Sequence, residues 1–172
     1  MIIIAVCGPI GAPLKSFVDK LVEDARMKKN SVVIYSEACE STALHEPNHR
    51  ALLDKIEKTV ASVMFVYGSQ LFLNQDLCKK FDIKIFMECD KDTCLSHVLE
   101  KNPKDLDACL ANYLKHIKPL NDERICPSKR NADVWIFSEG DWKVTYDILF
   151  TKIESLSEDN DEASLTRSFG NR

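Results

Sequence analysis

The sequence predicts an α/β fold built on a parallel sheet, and two observations carry that prediction. Five short apolar, β-branched runs recur along the 172 residues, at Ile2 to Cys7, Ser31 to Ser36, Ala61 to Tyr67, Ile83 to Glu88 and Asp133 to Phe137, and helix-like stretches separate them. The runs are continuous rather than alternating, which is the pattern of strands buried on both faces beneath helices.

Each intervening stretch has its own reason to be a helix. The first is expected from Leu14 to Lys29, with Phe17, Val18, Leu21, Val22 and Ala25 on one face and Arg26, Lys28 and Lys29 at the negative end of the helix dipole. The second, Asn48 to Lys58, follows Glu46-Pro47 and keeps Leu52, Leu53, Ile56 and Val60 on a stripe. Asp90 or Asp92 caps a helix running through Lys101, which Asn102-Pro103 stops. The next helix, Asp105 to Ile117, is expected to turn Leu106, Cys109, Leu110, Tyr113 and Ile117 inward, and a last one spans Trp142 to Ser155.

With 45% hydrophobic and 29% charged residues, a chain this long buries roughly 70% of its unfolded surface and needs no disulfide or structural metal. One domain, residues 1–156, is expected, followed by a polar tail at 157–172 with too few apolar residues to fold. The longest uncharged apolar run, Met1 to Cys7, is far short of a membrane span, and the N-terminus lacks a secretory signal's basic region, so a cytoplasmic protein is expected. Seven cysteines with no C-x-x-C pair read as reduced thiols, and the four histidines do not stand at metal-binding spacing relative to them. The net charge of −4 carries no dense basic patch, which argues against a nucleic-acid partner.

In an open α/β sheet the first strand-to-helix turn is the favoured place for phosphate. Here that turn is CGPIGAPLKS, Cys7 to Ser16. Backbone amides at Gly8, Gly11 and Ala12 are candidates to face a nucleotide's phosphates, Lys15 to reach the outer ones, and the Ser16 hydroxyl to hold magnesium. The glycines depart from the G-x-x-x-x-G-K-[ST] spacing, because Leu14 stands where the second Gly belongs and Gly8 comes one residue early. Pro9 and Pro13 each remove an amide donor.

The second half adds context. Ser69 to Phe81, KIFMECDKDTCLSHVL, YLKHIKP and CPSKRNADVWI follow one another in the order of the uridine kinase family of P-loop nucleoside kinases, and the chain resembles that family from IAVCG to Leu156. The most specific piece is Pro127-Ser128-Lys129-Arg130-Asn131-Ala132-Asp133-Val134, similar to the family's P-[ST]-K-[KR]-x-A-D-[VI]. The resemblance implies a three-layer P-loop NTPase-like fold with a five-stranded parallel sheet flanked by helices. It implies ATP with magnesium as cofactor, phosphoryl transfer to the 5′-hydroxyl of uridine or cytidine, and a homo-oligomer.

The departures fall on the chemistry. Ala38 stands where the family's D-x-F-Y motif has its catalytic acid, and Glu37 and Glu40 flank it; either could reach in, and Glu37 is taken as the candidate. Tyr67 replaces the acid that ends the third strand and helps to place magnesium. Cys94, Ser96 and His97 stand in the helix that carries the family's lid arginines. Only about twenty residues, Ser41 to Val60, join strands two and three where the family inserts a base-binding hairpin. Three readings stay open: a divergent nucleoside kinase, an impaired relative that binds nucleotide or assembles with an active subunit, and an interaction module.

Overall fold

A computed structural model describes residues 1–27, 32–36, 49–101, 103–152 and 155. All five expected strands are present and parallel: β1 (Ile2–Cys7), β2 (Val32–Ser36), β3 (Val63–Gly68), β4 (Ile83–Glu88) and β5 (Val134–Phe137), in the order β2-β3-β1-β4-β5. β1 lies at the centre and is buried along its whole length, as its sequence IIIAVC requires. The chain crosses from β1 to β2 on one side, and from β3 to β4 on the other. The carboxyl ends of the adjacent strands β1 and β3 therefore form the switch point where ligands bind in such sheets.

Two apolar layers sandwich the sheet. On one face α1 (Leu14–Met27) buries Phe17, Val18, Leu21, Val22 and Ala25 against Ile4, Val6 and Phe65, joined by Tyr146, Leu149 and Phe150 from a helix over 143–152. Phe17 stacks on Tyr146 and meets Trp142 edge-on, both at 5.2 Å between ring centroids. On the other face, α2 (His49–Lys58) contributes Ile56, the short α3 (Gln75–Cys78) contributes Leu77, and a long helical run contributes Ile125.

That run begins after α4 (Lys91–Glu100). It starts as α5 (Leu106–Asn112), where the Asp105 carboxylate accepts the Ala108 N–H, and winds on through two wide π turns at Tyr113–Ile117 and Asn121–Ile125. Tyr113, Ile117, Asn121 and Ile125, four residues apart, all face inward.

Several expectations need correction. Leu106 and Leu110 are exposed rather than inward, because the inward face of this run is set by Tyr113 and Ile117 and both leucines lie off it. Val60 is 96% exposed, since α2 ends at Lys58 and the stripe ends with it. Asp90 occupies the N-cap position of α4, yet its side chain makes no capping bond. β5 is an edge strand with one face open, so Trp135 and Phe137 are exposed where burial on both faces was expected. Cys7 and Cys94 are buried, whereas Cys78, Cys89, Cys109 and Cys126 are only partly so, and none of these six is joined in a disulfide. The proposed tail at 157–172 and residues 37–48, with Glu37 and Ala38, lie outside the described residues.

Candidate nucleotide site

The loop between β1 and α1 sits at the switch point, tied there by the Cys7 thiol, which donates to the Ser69 carbonyl just beyond β3 (3.3 Å). Its path is set by two glycines. Gly11 has φ +104°, and a Cβ there would lie 2.4 Å from the Cys94 carbonyl oxygen, so only glycine lets the loop rest on the backbone of α4. A Cβ on Gly8 would lie 2.7 Å from the Met87 carbonyl oxygen of β4.

Most of the loop's backbone groups are engaged by the protein. The Ala12 N–H donates to the Pro9 carbonyl (2.9 Å), and the Leu14 N–H to the Ala12 carbonyl (2.9 Å). The Asn121 side chain clasps Ile10, accepting its N–H at 2.8 Å and donating to its carbonyl at 3.1 Å. His97 Nδ1 donates to the Gly11 carbonyl at 2.8 Å. Ile10 itself packs against both the sheet-side core and the Val98, Tyr113 and Ile117 cluster.

The sequence-predicted residues are accordingly split. Lys15 and Ser16 lie in the exposed first turn of α1, where helix amides have no intrahelical acceptor. The Lys15 ammonium is turned along the helix to Asp19 at 2.5 Å, and that hydrogen-bonded carboxylate raises its pKa above the ordinary lysine value. Ala12 packs on the α1 side of the core, and Gly8 and Gly11 shape the loop. Tyr67, the penultimate residue of β3, is half-buried, pairs across the sheet with Val6 and packs on the α1 side of the core.

The segment after β4 packs over this loop. Lys91 pairs with Asp122 (2.9 Å), the Tyr113 hydroxyl donates to the Lys91 carbonyl (3.3 Å), and Lys129 pairs with Glu88 at the end of β4 (2.5 Å). Burial pushes the Cys94 thiol above the ordinary cysteine value. Asn121 and the contact of His97 with the loop were missed in the sequence. The available signal was an asparagine in register with the apolar positions Tyr113, Ile117 and Ile125.

No protein-family model matches the chain. A uridine kinase from Latilactobacillus sakei is 30% identical over 147 residues, which cover 83% of this chain and 67% of that protein. The chain belongs to the uridine kinase family. A uridine kinase from Staphylococcus aureus is 30% identical over 142 residues, 80% of this chain and 66% of that protein. One from Lactobacillus helveticus is 30% identical over 112 residues, 63% and 53% respectively, so the chain spans between about half and two-thirds of the length of these uridine kinases. Among solved structures, shikimate kinase from Aquifex aeolicus superposes with a TM-score of 0.58 at 16% identity, covering 91% of this chain and 98% of the other. A protein from Eubacterium ventriosum gives 0.54 at 18% identity, with 90% and 99% covered. These likenesses fix the fold as P-loop kinase-like.

For a uridine kinase relative the implied cofactor, if the chain is active, is ATP with magnesium. The residues present fit a phosphate at the helix start, where Lys15 and Ser16 are exposed. They fit less well deeper in the loop, where the Ile10 and Ala12 amides already have protein acceptors. Among the described residues no three His, Cys, Asp or Glu side chains are grouped to hold a metal ion. None of the described helices is long and apolar enough to cross a membrane.

Proposed function

We propose that this uridine kinase family member binds a magnesium nucleotide at the start of α1 and is strongly impaired in phosphoryl transfer to uridine or cytidine. The observation that carries the reading is the exposed Lys15-Ser16 pair at the first turn of α1, at the switch point of a P-loop kinase fold. A pure scaffold has no need of that pair there. Lys15, on leaving Asp19, reaches the outer phosphates, and the Ser16 hydroxyl is the protein's ligand to magnesium.

Impairment follows from charge. Phosphoryl transfer runs almost entirely on positioning and electrostatic stabilisation, and a single charge-stabilising group is worth about 10³ to 10⁵ in rate. Tyr67 supplies no carboxylate at the end of β3, and neither Cys94 nor His97 supplies the fixed cation of an arginine. Glu37, beside Ala38, is the candidate acceptor-side base. A supporting role beside an active kinase subunit is favoured by the exposed apolar side chains of Trp135, Phe137, Val144 and Ile148.

The test is a thermal-shift titration with MgATP, alone and with uridine or cytidine, followed by a transfer assay beside an active uridine kinase. MgATP at about 100 times its dissociation constant stabilises by roughly 2.7 kcal/mol, and transfer is expected at least about 10³-fold below the active enzyme. No stabilisation by any nucleotide overturns the binding half, and turnover near that of the active enzyme overturns the impairment.

A further inference from the structure

The loop between β1 and α1 spends most of its hydrogen-bonding groups on the protein itself. Of the six residues from Gly8 to Pro13, two are prolines without an N–H, and the Ile10 and Ala12 amides are bonded within the protein. Four of the six are thereby withheld from any anion. The peptide joining Gly11 to Ala12 is pinned on both sides, its carbonyl by His97 and its N–H by the Pro9 carbonyl. Because the C=O and N–H of one peptide point in opposite directions, the Ala12 N–H turns toward a ligand only if the whole plane rotates, and that rotation breaks the His97 bond.

The two holding side chains differ in how easily they let go. Asn121 is buried and spends both its amide oxygen and its amide nitrogen on Ile10, so it is a fixed part of the loop's floor. His97 is half-buried, is carried on α4, and holds the loop by one bond. The α4 backbone also lies directly under Gly11, so a small outward shift of this helix removes both the bond and the contact that keep the peptide in place.

We propose that His97 and Asn121 form a latch that holds residues 8–13 closed, with His97 as its releasable arm, and that a nucleotide's phosphates enter only when His97 gives up the Gly11 carbonyl. The regulatory half rests on the nucleotide-binding reading above. Asn121 acts through Ile10 as a positioning residue, whereas His97 sets the fraction of molecules competent to bind.

The experiment compares the full chain with His97→Ala and His97→Asn, the latter keeping an N–H donor close to the place of Nδ1. Backbone amide exchange at Ile10 and Ala12 is read by nuclear magnetic resonance, and MgATP affinity by calorimetry. His97→Ala is expected to speed exchange at Ala12 by about tenfold and to tighten MgATP binding by a similar factor, with His97→Asn close to the unaltered chain on both counts. Unchanged exchange at Ala12 in His97→Ala overturns the latch. Faster exchange with equal or weaker MgATP binding overturns the gating role. If no protein binds MgATP while His97→Ala still speeds exchange, the latch stands and the nucleotide reading falls, which separates the two failures.

Discussion

The two ends of the sheet are built on different principles. At the amino end, the same device occurs twice. Asp82, just before β4, accepts the Ile3 N–H at 2.7 Å and donates its own N–H to the Ile3 carbonyl at 2.9 Å. Asp133, just before β5, accepts the Lys84 N–H at 2.8 Å and donates to the Lys84 carbonyl at 2.8 Å. Each aspartate locks the first rung of a strand to its neighbour. At the carboxyl end, where chemistry would be done, the side chains instead serve each other: Lys15 goes to Asp19, Lys129 to Glu88, and His97 and Asn121 to the loop.

The contrast shows that part of the family resemblance lies in contacts that build the sheet. The most specific family signature here, Pro127 to Val134, is largely architecture. Ser128 donates to the Ile125 carbonyl (2.7 Å), Asn131 to the Phe72 carbonyl (2.9 Å), and Asp133 ties β5 to β4. Such contacts preserve the sheet whether or not a phosphoryl group is ever transferred.

The sharpest way to break this comparison is Gly11→Ala. A side chain at φ +104° and 2.4 Å from the Cys94 carbonyl is expected to destabilise the fold by at least about 2 kcal/mol, a fall of several degrees in thermal melting. An unchanged melting temperature would show that α4 does not rest on the loop. Next is Asp82→Ala, which leaves the amide of buried Ile3 unpaired and should cost about 1–3 kcal/mol by chemical denaturation without altering MgATP affinity. A loss of affinity there would mean that the two ends of the sheet are coupled.

Lys15→Ala should do the converse, lowering MgATP affinity about tenfold while leaving the denaturation midpoint in place, since its partner Asp19 is an exposed neighbour on the same helix. A chain truncated after Leu156 should melt within about 2 °C of the full one, as expected if residues 157–172 add nothing to the core.

The smallest effect is alkaline. Burial first, and then neighbouring thiols and carboxylates, push Tyr113 up to about 12, and burial does the same for Tyr146. An unfolded tyrosine ionises near 10. The stability these phenols contribute is therefore fully present below pH 10 and is lost as pH rises from 10 towards 12. Absorbance titration should show both ionising late. Replacing either by Phe should flatten that part of the stability profile.

The sheet and its helices were legible because their signals are local. β-branched runs need burial on both faces, and the inward residues of α1 fall at helical spacing, so Ile2 to Cys7 and Phe17 to Ala25 could be placed before any contact was known. The exposure of Leu106 and Leu110 was not legible, since which face of a helix is covered depends on what packs there. For the site, residue order alone places Lys15 and Ser16 after the first strand and shows that Tyr67 brings no charge to the third.

What the loop does with its amides depends on packing between distant segments. Ile10 meets Asn121, and Gly11 meets His97, across separations of 111 and 86 residues. Hydrogen bonds between such distant residues follow from how α4 and the following helices pack on the sheet, and no local spacing encodes them.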